Sequence, residues 1–99
     1  MEPQVITPAQ RRYLKQLAHH LKPLMQMGKD GPTEAFLKQL VEQIEIHELI
    51  KVRILDACMA EKAEILAAFE RAGVTFVQKV GHVYTVFHQK EKDSQVTLP

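Results

Sequence analysis

Cysteine and long apolar runs are both scarce in this chain of 99 residues. Its one cysteine, Cys58, cannot form an intramolecular disulfide, so the fold is not expected to depend on an oxidising compartment. No apolar run approaches the ~20 residues that a membrane span requires. The opening residues, MEPQVITP, lack the basic and apolar regions of a secretory signal peptide. These absences predict a soluble cytoplasmic protein.

Motifs for catalysis and metal binding are also missing. The five histidines do not fall into HExxH or another ligand spacing, so no metal site is expected. There is no nucleophile elbow, and the stretch Gly28-Lys29-Asp30-Gly31 lacks the spacing of a Walker motif. His47-Glu48 could in principle form an acid/base pair, although closing a helix is the simpler role. The sequence therefore predicts no enzyme, no cofactor and no small-molecule substrate.

Acidic residues are absent between Glu2 and Asp30, although the whole chain has a net charge of only +1. The same interval carries cations and histidines, namely Arg11, Arg12, Lys15, His19, His20, Lys22 and Lys29. An acid-free basic third in a near-neutral protein is typical of a localised anion-binding face. A basic surface that is merely solvated would give the same pattern.

The first helix is predicted from its start signals. Thr7 is expected to be the N-cap, with Pro8 at the first helical position and Gln10 completing a capping box. Helical spacing predicts a buried stripe of Leu14, Leu17, Ala18 and Leu21. Pro23 is expected to end the helix.

Four strand patterns and two more helices follow along the chain. A short strand is predicted at 24–27, and an alternating strand at 49–55 places Lys51 and Arg53 on the face opposite its apolar residues. The second helix has either Gly31 or Thr33 as its cap, and the third spans about 61–72. Strands at 74–80 and 83–87 flank Gly81-His82, which is a two-residue hairpin signal.

The predicted order is α-β-α-β-α-β-β in one α/β domain, with extended tails at 1–6 and 89–99. Strands that are connected through helices should run parallel, and the final hairpin adds an antiparallel strand. The expected fold is a mixed four-stranded sheet with packed helices.

The stretch MGKDGPTEAF, residues 27–36, has two possible roles. Glycines between a strand and a helix let a ligand approach the main chain, and the helix N-terminus favours phosphate. A GxxG arrangement of this kind clamps the nucleic-acid backbone in KH-type domains. A plain turn is the alternative, in which Asp30 and Glu34 satisfy the helix N-terminus and repel phosphate.

The first helix provides an independent indication of a polyanionic ligand. Arg11, Lys15 and His19 are spaced i, i+4 and i+8, and Arg12 is three residues from Lys15, so like charges share one stripe. Phosphate contacts would turn that repulsion into attraction. Lys51 and Arg53 either extend this patch or cover a sheet edge with their stems.

The aromatic residues are too few for a row of stacked bases. Tyr13, Tyr84 and Phe87 are scattered, so recognition of bases is expected to be limited.

Several motifs together resemble the CRM domain, and more closely the stand-alone bacterial YhbY-type RNA-binding proteins. The resemblance covers essentially the whole chain and rests on the stretches Leu17-Ala18-His19, Leu21-Lys22-Pro23, Gly28-Lys29-Asp30-Gly31, Thr33-Glu34, His47-Glu48-Leu49-Ile50-Lys51-Val52, Val80-Gly81 and Thr97-Leu98-Pro99. It implies a fold similar to the C-terminal domain of translation initiation factor three. It also implies RNA binding through the GxxG loop and association with precursors of the large ribosomal subunit; organellar relatives serve in group II intron splicing.

The residues expected to bind RNA are Gly28, Lys29, Asp30, Gly31, Arg11, Arg12, Lys15, Lys22, Lys51 and Arg53. Two positions depart from the family pattern. His88 stands where bacterial relatives commonly have an arginine, and Asp30 leaves Lys29 as the one cation of the loop. The contrasting hypothesis is a protein-interaction module that reaches ribosomal particles without touching RNA.

Overall fold

The computed structural model describes all residues, Met1–Pro99. The elements in chain order are α1 (Pro8–Ala18), β1 (Met25–Met27), α2 (Glu34–His47), β2 (Leu49–Ile54), α3 (Lys62–Ala72), β3 (Thr75–Val80) and β4 (Val83–Phe87). This is the predicted α-β-α-β-α-β-β order. None of the helices combines the length and the apolar character that crossing a bilayer requires.

The strands form one mixed sheet in the order β1-β2-β4-β3. β1 and β2 are connected through α2 and pair in parallel, with Met25 opposite Val52. β4 pairs antiparallel with both β2 and β3, and Val80 lies opposite Val83 across the Gly81-His82 turn. The predicted α/β fold with a mixed four-stranded sheet is confirmed.

The helices cover the two faces of the sheet unequally. The larger core lies between the sheet and helices α2 and α3, and includes Leu40, Ile44, Val52 and Phe69. Helix α1 packs on the other face with Leu14 and Ala18, in a smaller cluster with residues of β2, β3 and β4. The alternation of β2 explains this division, because its even-numbered side chains join the larger core and its odd-numbered ones face α1.

The start of α1 is as predicted, but its end is not. The Thr7 hydroxyl accepts the Gln10 amide, and the Gln10 side chain accepts the Thr7 amide, which is the expected capping box. The helix ends at Ala18, well before Pro23. The amide of Leu21 then donates to the Ala18 carbonyl in a turn, which breaks the helical phase.

The predicted buried stripe of α1 is correspondingly wrong at two positions. Leu14 and Ala18 are fully buried, whereas Leu17 is 36% exposed and Leu21 is 39% exposed. Leu21 lies outside the helix, so the helical periodicity does not apply to it. The contact of α1 with the sheet is narrow, and Leu17 lies at its margin.

The C-terminal tail forms no helix or strand, but it bends around the side chain of Glu48 rather than extending away. Glu48 is 0% exposed, and its carboxylate accepts hydrogen bonds from the amides of Lys90 and Gln95 and from the Ser94 hydroxyl, at 2.7–2.9 Å. Burial opposes the ionisation of Glu48, but these hydrogen bonds outweigh it and lower its pKa below the ordinary value of 4.5. Val96 completes the smaller core beneath α1.

We expect Glu48→Gln to lower the free energy of unfolding by about 1–3 kcal/mol at pH 7. The glutamine NH₂ group would face N–H or O–H groups that now donate to the Glu48 carboxylate. A lowered pKa stabilises the folded state above pH 4.5, and this stabilisation is lost as the pH falls through the folded-state value. The difference between Glu48→Gln and the unchanged protein should therefore shrink in urea titrations as the pH falls below 4.5. Glu45→Gln on the exposed side of α2 is the matched control, and an equal loss there would contradict the role of Glu48.

Candidate nucleic-acid interface

Three connections meet at one end of the sheet. The turn Gly28–Gly31, here called the glycine turn, follows β1; the segment 55–61 follows β2; and Gly81-His82 joins β3 to β4. Pairing brings them together, because Met27 lies opposite Ile54 and the Ile54 amide donates to the His82 carbonyl at 2.7 Å. The carboxyl ends of parallel strands are a frequent position for ligand sites in α/β proteins.

The glycine turn is closed by a hydrogen bond from the Gly31 amide to the Gly28 carbonyl at 3.0 Å. Lys29 and Asp30 occupy its exposed tip, and their amides donate to no backbone carbonyl. Thr33 is the N-cap of α2, since its hydroxyl accepts the Phe36 amide at 3.0 Å. Asp30 therefore does not cap the helix, and two unpaired N–H groups lie beside the Lys29 cation.

The two glycines of the turn are under different conformational and steric constraints. Gly31 has a φ of +67°, where an L side chain is strained, and a Cβ there would lie 3.4 Å from that of Ala60. Gly28 has no such backbone angle, and a Cβ would meet only the Leu55 Cδ1 at 3.9 Å. The fold therefore requires glycine at position 31 but not at position 28.

A groove on the α1 face of the sheet collects several of the predicted cations. It has a volume of about 350 Å³ and is lined by Lys15 and His19 of α1 and by Lys51 and Arg53 of β2. We call it the basic groove, since no aspartate or glutamate lines it. It exists because α1 ends at Ala18 and leaves part of this sheet face uncovered.

Two of the predicted cations also have structural partners. The Arg11 Nη1 donates to the carbonyls of Phe76 (2.9 Å) and Val77, where β3 carries an irregularity in its register. The Lys51 Nζ donates to the Leu21 carbonyl at 3.0 Å and so holds the segment that follows α1. These bonds anchor α1 to the sheet and leave Lys15 and Arg53 as the less constrained cations of the groove.

The remaining predicted cations lie outside the basic groove. Arg12 is exposed and lines a neighbouring depression together with Arg11 and Lys15. Lys22 and Lys29 are exposed and line neither concavity. His88, which departs from the family pattern, has a buried Nδ1 without a hydrogen-bond partner, so it does not replace an exposed cation.

The sequence pattern did not predict a second concavity, on the opposite face of the sheet. It encloses about 300 Å³ beside the start of α3, and its lining includes Lys62, Lys79, His82 and Tyr84. We call it the α3 cavity. These residues are far apart in sequence, so no local motif unites them. The one local indication of this cavity is the N-cap of α3. It is Glu61 rather than the Ser, Thr, Asp or Asn that usually starts a helix.

No cluster of three or more His, Cys, Asp or Glu side chains is placed to hold a metal ion.

We expect Gly31→Ala to lower the free energy of unfolding by about 1–2 kcal/mol, because the alanine must adopt the left-handed backbone conformation. Gly28→Ala should change stability by no more than about 0.5 kcal/mol. Thermal or urea unfolding of both variants checks this difference. Equal destabilisation by the two substitutions would contradict the different constraints on the two glycines.

Comparison with known proteins finds relatives of similar length. The chain is 33% identical over 96 residues to the probable RNA-binding protein YqeI of Bacillus subtilis, covering 96% of this chain and 100% of that one. It is 34% identical over 95 residues to an RNA-binding protein of Haemophilus influenzae, covering 95% of each. The solution structure of SAV1595 from Staphylococcus aureus superimposes with a TM-score of 0.74 at 29% identity, covering 96% of this chain and 100% of that one.

The family model for the CRS1 / YhbY (CRM) domain matches residues 6–88, which span every helix and strand of the fold. The chain therefore belongs to the CRS1/YhbY (CRM) domain family.

Proposed function

We propose that this protein binds RNA without catalysing a reaction, and that its ligand is ribosomal RNA in a precursor of the large subunit. The RNA backbone contacts the glycine turn and the basic groove, and binding aids assembly of the subunit in the cytoplasm. The relatives named as RNA-binding proteins support the general function. The observation that carries the proposed surface is the basic groove itself.

The charge and position of the groove suit a phosphate backbone. Lys15, Lys51 and Arg53 come from two elements and line one depression that no acid lines. Phosphate contacts supply most of the sequence-independent affinity of nucleic-acid binding. Because Lys51 retains donors beyond its bond to Leu21, its ammonium can hold the segment after α1 and still contact a phosphate.

The glycine turn supports a second backbone contact. The amides of Lys29 and Asp30 have no backbone acceptor, and unpaired N–H groups at a turn bind anionic oxygens. Only the Leu55 Cδ1 comes within 4 Å of a Cβ built at Gly28, so a ligand can approach the main chain of the turn closely. Asp30 is exposed and caps nothing, so its carboxylate would lower the affinity of the turn for phosphate if it faced the RNA.

The choice of large-subunit precursor RNA rests on the resemblance to the YhbY-type proteins. The match to the probable RNA-binding protein YqeI extends over the whole length of that relative.

We expect affinity for structured ribosomal RNA to fall steeply with salt, by about 0.7–0.9 in log–log slope for each phosphate that the protein neutralises. The double variant Lys15→Glu/Lys29→Glu should reduce the slope by about 1.5 and weaken binding at least about tenfold at ~0.1 M salt. Filter binding or fluorescence anisotropy over a salt series measures both quantities.

The matched control is Lys38→Glu/Lys92→Glu, which changes the net charge equally at exposed positions on α2 and in the tail. Its binding should lie close to that of the unchanged protein. A flat salt dependence, or equal effects of the two double variants, would contradict the proposal that RNA binds to this surface.

Crosslinking in cells followed by sequencing tests the identity of the RNA. We expect enriched reads from precursor large-subunit RNA, and loss of this enrichment in Lys15→Glu/Lys29→Glu. Absence of crosslinked RNA, with the protein still on ribosomal particles, would instead favour recruitment through another protein.

A further inference from the structure

The α3 cavity combines an apolar wall with a cationic rim. Ile54, Leu55 and Ile65 contribute to the wall, and Lys62, Lys79 and His82 carry the basic groups. Asp56 is the one acid among the lining side chains. A volume of about 300 Å³ lies at the lower end of the range of small-ligand pockets. The cavity is therefore large enough for a small ligand with an apolar body and an anionic group.

The hydroxyl of Tyr84 lacks a partner in this cavity. Tyr84 is only 2% exposed and lines the cavity, and no protein group hydrogen-bonds to its hydroxyl. Burial, together with the neighbouring Cys58, raises its pKa above the usual 10, so the hydroxyl stays protonated at neutral pH and can donate as well as accept. The Tyr84 ring is buried, whereas its hydroxyl is not among the fully buried polar atoms, so a ligand in the cavity can hydrogen-bond to it.

The start of α3 adds a second polar feature to the same cavity. Its N-cap, Glu61, makes no side-chain capping bond, so the amides of the first turn keep their capacity to donate. Ala60 and Lys62, on either side of this N-cap, both line the cavity. Glu61 and Glu64 place carboxylates at the same helix start, but neither lines the cavity, whereas Lys62 and Lys79 do. The positive end of this 11-residue helix and the two lysines therefore favour an anion on the cavity side.

The cavity shares a wall with the glycine turn. Leu55 and Ala60 line the cavity, and they are also the nearest neighbours of the turn: a Cβ added to Gly28 would lie 3.9 Å from Leu55, and one added to Gly31 would lie 3.4 Å from Ala60. The glycine turn and the cavity therefore adjoin each other through these two residues.

We propose that the α3 cavity binds one nucleotide of the RNA strand whose backbone contacts the glycine turn. The base lies against the apolar wall and hydrogen-bonds through its edge to the Tyr84 hydroxyl, while a phosphate lies near Lys62 and Lys79. The proposal rests on the RNA-binding function proposed above and names a subsite within it.

A base fits the lining better than a bare anion does. A phosphate would make no apolar contact with the parts of Ile54 and Ile65 that line the cavity, whereas a base offers apolar faces and a polar edge. The Tyr84 ring is itself buried, so the cavity takes a single base and does not form a row of stacked bases.

The test is an NMR titration of the full chain, with labelled isoleucine methyl groups, using the four nucleoside 5′-monophosphates and ribose 5-phosphate as probes. We expect at least one nucleotide to shift the methyl signals of Ile54 and Ile65, and ribose 5-phosphate to leave them unchanged. Tyr84→Phe should lower the affinity for that nucleotide by about threefold to tenfold, because one hydrogen bond is lost. Tyr13→Phe on α1 is the matched control and should have no effect.

Cys58→Leu narrows the cavity while keeping the Tyr84 hydroxyl in the sequence, and it should abolish the nucleotide-induced shifts, with its fold checked by the amide spectrum. Equal responses to nucleotides and ribose 5-phosphate, or unchanged affinity in Tyr84→Phe, would overturn the base subsite. Failure of the proposed RNA-binding function would give a different result. In that case the unchanged protein would show no affinity for structured ribosomal RNA. If that affinity is present while Tyr84→Phe binds nucleotides normally, the subsite alone is refuted.

Discussion

The parallel pairing of β1 with β2 determines where the glycine turn lies relative to the rest of the sheet. β1 has only three residues, and its register places Met27 opposite Ile54, with the Leu55 amide donating to the Met27 carbonyl at 2.9 Å. This short ladder holds the glycine turn beside the end of β2. The turn consequently adjoins the α3 cavity through Leu55 and Ala60, whereas the basic groove lies on the α1 face of the sheet.

Some of the cations on this surface have structural hydrogen bonds, and others have none. Arg11 and Lys51 donate to backbone carbonyls and attach α1, with the segment that follows it, to the sheet. Without these bonds the groove would lose a wall, so their substitution would disturb binding through structure as well as charge. Lys15 and Arg53 line the basic groove without such anchors, so charge changes there report more directly on the proposed phosphate contacts.

Glu48 organises the opposite end of the domain in a comparable way. Its backbone has a φ of +64°, and its carbonyl accepts the His88 amide while its carboxylate binds the tail. The tail then places Val96 under α1, beside Leu14 and Phe87. A buried carboxylate that is fully hydrogen-bonded thus supports the helix that forms one wall of the basic groove.

The sequence by itself determined the elements, their order and the faces of β2, because capping residues, hairpin glycines and periodicity act locally. It also indicated Lys15 and Arg53, whose side chains follow from helical and strand phase. The tertiary structure alone decided that Arg11 and Lys51 bind carbonyls, that Leu17 is exposed, and that Glu48 is buried in the tail. It alone brought Tyr84, Lys62 and Lys79 into one cavity. These outcomes depend on contacts between residues distant in sequence, which no local pattern encodes.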